Sequence, residues 1–151
     1  MPARVISAER LLAAVTEQRT ALAEPAWRGP VTAAALSREC VRGALAAVDR
    51  GLAPCPGALR AAVTYLLGVL AERAPGRAVE VRVPPYAAVQ CVGGPRHTRG
   101  TPANVVEMNP VTWVRLAAGL MPWADAVSAG LVQASGVRAD LTPYLPVLKV
   151  R

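Results

Sequence analysis

The residues best placed to do chemistry stand together in one short stretch, "VGGPRHTRGTP" at residues 92–102. It carries the chain's only histidine, His97, between Arg96 and Arg99, with Thr98 and Thr101 close by and glycines on both sides. Two chemistries fit these residue types. Arg96, His97 and Arg99, with backbone N–H groups made accessible by glycine, would form a polar rim that cradles an anion. Alternatively His97 would move a proton while the arginines steady an oxyanion. The same composition also makes a plain connection between strands, because glycine and proline shape the backbone and arginine keeps it solvated, and this is the commoner use.

Outside that stretch the catalytic inventory is thin. One histidine cannot build a multi-histidine metal site, and Cys40, Cys55 and Cys91 are widely spaced and outside any C-x-x-C pair, so no metal, no cofactor and no disulfide framework is expected. Glu80, Glu107 and Asp125 fall on different elements, and there is no G-x-S-x-G elbow to pair a serine with His97. No catalytic residue is assigned.

The elements that must position these side chains follow from periodicity. Residues 7–24 repeat Ala8, Leu11, Leu12, Val15 and Leu22 at helical spacing behind a capping Ser7, and Pro25 ends the run. A second helix is predicted over residues 32–50, with Leu36, Cys40, Ala44, Ala47 and Val48 on one face and Gly51 as its stop. A third, over residues 58–74, aligns Leu59, Val63, Leu66, Leu67 and Leu70. At Val79 the period changes to two: Val79, Val81 and Val83 alternate with Glu80 and Arg82, as in a strand with one wet face. Further strands are expected at residues 87–92, 104–108 and 131–135. Asn109-Pro110 opens a helix that carries Trp113, Leu116, Ala117 and Leu120, and Pro122 opens a shorter one with Trp123 and Val127, stopped at Gly130. The pattern is α+β: helices first, then a sheet interleaved with helices, without βαβ alternation or a G-x-G-x-x-G turn.

Composition narrows the function classes. The 151 residues carry a net charge of +7 with 53% hydrophobic and 18% charged residues, which describes a folding chain with the mass of one domain. All but one of the seventeen basic residues are arginine, and they are scattered singly rather than grouped beside aromatics, so nucleic acid is not an expected partner. Arg4, Glu9, Arg10 and Glu17 interrupt the opening apolar residues, unlike a signal-peptide core or a transmembrane segment. Together with the unpaired cysteines this points to the cytoplasm. Trp113, Trp123 and Tyr144 are each able to bury a large apolar surface, either as core or as the wall of a small-molecule pocket.

The run "NPVTWVRLAAGLMPWADAVSAGLVQASGVRADLTPYLPVL" resembles the closing portion of the sterol carrier protein fold. The resemblance lies in W-x-x-L-A-x-G at Trp113, Leu116, Ala117 and Gly119, in A-V-x-x-G at Ala126, Val127 and Gly130, in Ser135-Gly136, and in D-L-x-x-x-L-P at Asp140, Leu141, Leu145 and Pro146. Residues 74–110 look like the bacterial, largely actinobacterial, branch of small sterol-carrier-like proteins. The resemblance implies a sterol-carrier-like sheet covered by helices, a terminal helix at the D-L-x-x-x-L-P motif, and an apolar space that takes acyl chains, sterols or similar molecules, without catalysis. On that basis residues 1–53 form an N-terminal helical segment, packed on the same domain or on a homodimer partner, and residues 54–151 the sterol-carrier-like domain. Trp113, Leu116, Leu120, Trp123, Val127, Tyr144 and Leu148 are the expected apolar lining, with Arg96, His97 and Arg99 at the mouth. The leading expectation is a binding or carrier protein for a lipid, fatty acyl or sterol-like molecule. The alternatives are a protein-interaction or regulatory domain with a filled core, and a small cyclase or isomerase using His97 in the same pocket.

Overall fold

A computed structural model describes residues 5–94 and 104–149. The chain divides into two compact units, one from Arg4 to Tyr65 and one from Leu66 onward, and the division falls within the third helix.

The first unit is helical. Helix α1 (Ala8–Ala21) begins where the Ser7 side chain accepts the Arg10 N–H at 3.3 Å, and α2 (Ala33–Asp49) where Thr32 accepts the Ala35 N–H at 3.2 Å. Both caps satisfy an amide that the first turn leaves without a helical partner. The third helix, α3 (Pro56–Arg73), starts in this unit and contributes Ala58 and Ala61 to a core with Leu11, Ala14, Val15, Leu36 and Cys40. Small residues recur here because the helices approach closely: a Cβ on Gly43 would lie 2.8 Å from Cγ of the buried Gln18. Gln18 is satisfied in turn by accepting the Cys55 N–H at 2.8 Å.

Helix α1 ends three residues before the expected Glu24. Ala23 takes a left-handed φ of 56°, and the Glu24 N–H turns back to the Arg19 carbonyl at 2.9 Å, a Schellman closure built on alanine instead of glycine. The turn brings the Glu24 carboxylate to Arg42 at 2.6 Å, beside a buried Glu39 that contacts Arg19 at 2.6 Å and Arg42 at 2.7 Å. Arg19 also lies over the Trp27 ring, 5.9 Å from its centroid.

The second unit is built on a four-stranded sheet ordered β2-β1-β3-β4, from β1 (Val79–Val83), β2 (Ala87–Cys91), β3 (Val105–Met108) and β4 (Val132–Ser135). Strands β1 and β2 form an antiparallel hairpin through Pro84 and Pro85, β1 and β3 run parallel, and β3 and β4 antiparallel. Residues 92–104 therefore connect strands on opposite sides of β1. The register places Val79, Val81, Val83, Cys91, Val106, Met108 and Val132 on one face, all buried, and Glu80, Arg82, Gln90, Glu107 and Gln133 on the other. This is the alternation expected of a sheet covered on one side. Leu66, Leu67 and Leu70 from α3, Trp113, Leu116 and Ala117 from α4 (Pro110–Ala117), and Leu141 are buried in the same unit. The molecule is an α+β protein.

Asn104 locks the start of this sheet. It is buried, donates from Nδ2 to the Ala78 carbonyl at 2.8 Å, and accepts the Arg138 N–H at 2.9 Å.

Candidate functional site

Helix α4 begins with Asn109 accepting the Thr112 N–H at 2.9 Å, and with Pro110 in the first turn, where its missing N–H costs nothing. It ends in a Schellman turn: Gly119, at φ 78°, donates to the Leu116 carbonyl, and Leu120 donates to Arg115 at 2.9 Å. Glycine is required there twice over. A Cβ would strain the left-handed backbone and would also stand 3.2 Å from Cβ of Pro146 in the tail.

The tail is held on the end of α4 by main-chain bonds. The Val147 and Leu148 N–H groups both donate to the Ala117 carbonyl, at 2.9 and 3.1 Å, and Arg73 donates to the Pro146 carbonyl at 2.9 Å. The D-L-x-x-x-L-P motif is not an α-helix but a single 3-10 turn, Thr142–Tyr144. Pro143 and Pro146 lack amide donors, and a residue before proline is pushed toward extended backbone, as Leu145 is at ψ 145°.

Between this tail and the short helix α5 (Trp123–Ser128) lies a groove of about 350 Å³. Leu116 from α4, Met121 and Pro122 from the turn and Trp123 from α5 form one side, and Thr142, Leu145 and Pro146 the other. No ionisable side chain lines it among the described residues. Just outside, Asp140 accepts from the Thr142 hydroxyl at 2.6 Å and from its N–H at 2.9 Å. The hydroxyl bond, with the backbone bond next, holds the Asp140 carboxyl below its ordinary range.

Of the residues picked from sequence as lining, Leu116 and Trp123 meet in the groove. Trp113 is wholly enclosed in the core, at 0% exposure, whereas Val127 stands 44% exposed on α5. Leu120, Tyr144 and Leu148 are half-buried and lie outside the groove's lining. Arg96, His97 and Arg99 fall outside the described residues. Sequence reasoning passed over Met121, Pro122 and Thr142 as lining; Leu145 and Pro146 were visible as motif positions, but not their approach to α4. Two of the three thiols are buried: Cys40 is pushed up to about 12 by burial and the nearby Glu39, and Cys91 to about 11 by burial, whereas Cys55 is half-buried. Among the described residues no three of His, Cys, Asp and Glu gather as a metal site, and no helix is long and apolar enough to cross a membrane.

A family model described as "Bacterial SCP ortholog" matches residues 57–147, more than half of the chain and all of the sheet, groove and tail just described. The chain belongs to this bacterial SCP family. No curated protein matches it. The SCP region thus begins near the start of α3, with α1 and α2 standing before it.

Proposed function

We propose that this SCP-family chain is a non-enzymatic carrier or binding protein for an apolar or amphipathic small molecule such as a fatty acyl or sterol-like lipid, held in the groove between the α4–α5 turn and the tail. The observation that carries the reading is the groove's lining, which joins Leu116, Met121, Trp123 and Leu145 from separate elements around a space with no ionisable side chain among the described residues. Its volume, about 350 Å³, is at the lower end of small-molecule sites. It suits one alkyl segment or a compact ring system, the remainder of the ligand staying outside. The absence of an acid or base from the described lining favours binding over turnover.

Mass spectrometry of molecules extracted from the purified protein tests occupancy, and fluorescence tests place. An uncharged spin-labelled ester, methyl doxyl-stearate, is expected to quench the half-buried Trp123 while the enclosed Trp113 continues to emit, and Trp123→Ala is expected to remove the quenching. An extract free of lipid, together with no quenching, would overturn the reading.

A further inference from the structure

The groove between the α4–α5 turn and the tail carries a polarity of its own among its apolar walls. On the tail side the Thr142 hydroxyl donates to Asp140 Oδ1 at 2.6 Å, and the Thr142 N–H donates to the same oxygen at 2.9 Å. These bonds favour the ionised carboxyl, which can only accept, so the hydroxyl proton stays committed and the Thr142 oxygen is left with its lone pairs. No cation pairs with Asp140 among the described residues. On the other side stands Trp123, whose indole N–H has no hydrogen-bond partner among the described residues. The Trp27 indole, by contrast, donates to the Pro30 carbonyl at 3.1 Å. The lining thus brings together one uncommitted acceptor, one uncommitted donor and, just outside at Asp140, a negative charge.

We infer that the groove selects a neutral lipid alcohol, its apolar body on Leu116, Met121 and Leu145 and its hydroxyl donating to Thr142 Oγ1 while accepting from Trp123 Nε1. This rests on the proposed carrier reading and narrows its ligand class. A hydroxyl answers both partners without bringing a charge. An ether or ester leaves the Thr142 oxygen without a donor, and a carboxylate meets that oxygen and the Asp140 carboxylate as one more acceptor. Arg73, which donates to the Pro146 carbonyl at 2.9 Å, is exposed and outside the lining, so it offers a carboxylate only a screened, solvated contact.

The test uses the full chain with decanol, decyl methyl ether and sodium decanoate as probes, each read by how it displaces methyl doxyl-stearate and restores Trp123 emission. Decanol is expected to displace the ester at an about tenfold lower concentration than the ether, the ratio that one net hydrogen bond supplies, and decanoate to be no stronger than the ether. The Trp123 indole N–H proton resonance should move downfield when decanol binds. Thr142→Val removes the hydroxyl and keeps the N–H bond to Asp140; it is expected to bring decanol down to the ether's affinity and leave the ether unchanged. Thr142 is exposed, so this variant should keep its thermal midpoint. Asp140→Asn is expected to strengthen decanoate about threefold, as loss of one solvated repulsion predicts. Equal affinity for decanol and its ether would overturn the assignment, as would an undiminished preference for decanol in Thr142→Val, or decanoate binding tighter than decanol, which would point to Arg73 instead. Each of these leaves the carrier groove standing. An ester that fails to quench Trp123, with no probe shifting its indole resonance, would remove the groove and this preference together.

Discussion

At Ala23 a single side chain works against its own backbone. An L-residue at φ 56° crowds its Cβ against the carbonyl, which glycine avoids, and Ala23 is exposed, so removing its methyl group empties no core. Ala23→Gly is therefore expected to stabilise the protein by about 0.5 kcal/mol, a gain in thermal midpoint of about 1–2 °C by calorimetry. The two tryptophans of the second unit set the opposite contrast. Trp113 is enclosed, and Trp113→Ala should cost about 3–5 kcal/mol in chemical denaturation. Trp123 is half-buried at the groove, so Trp123→Ala should cost only about 1 kcal/mol while abolishing quenching by the spin-labelled ester. Sequence alone gave both the same standing, because residue type and helical spacing do not report what lies opposite.

Among the elements, those with local causes were legible and those with distant partners were not. Ser7 and Asn109 mark their helices because each cap bond spans three residues, and Val79, Val81 and Val83 mark the covered face because strand side chains alternate. Asn104 gave no such signal, since its partners Ala78 and Arg138 lie 26 and 34 residues away. Asn104→Ala would strand a carbonyl and an N–H in the interior and is expected to destabilise by about 2 kcal/mol. Its hydrogen-exchange signature should be faster exchange at Glu80, whose N–H donates to the Asn104 carbonyl at 3.0 Å. A uniform loss of protection across the sheet, with nothing particular at Glu80, would contradict the local role.

For the molecule as a whole, the cluster of Arg19, Glu24, Glu39 and Arg42 links the α1 end to α2 and ties stability to pH. Burial alone would raise the Glu39 carboxyl, but hydrogen bonds from Arg42 and Arg19 outweigh it and hold the group below its ordinary value of 4.5. A carboxyl with a depressed folded-state pKa contributes stability that is fully present above the unfolded value and is lost as pH falls through the folded one. The thermal midpoint is thus expected to change little from this source above about pH 5.5 and to fall below 4.5. In Glu39→Gln this acid-side decline should shrink, from a starting stability lower by about 2 kcal/mol, because two arginines lose a buried partner. An acid profile identical to that of the parent would remove the cluster as its source.

By itself the sequence determined the α+β class, the helix starts, the covered face of the sheet and, through the motifs around Trp113 and Gly119, the family. These depend on contacts a few residues apart or on side-chain period, and both are written locally. Only the tertiary structure decided that β1 takes β2 and β3 on its two sides, that Val147 and Leu148 fasten the tail to Ala117, and that Trp123 and Thr142 line one groove. Each of those pairings closes a loop of many residues, and what selects it is the packing of the finished core.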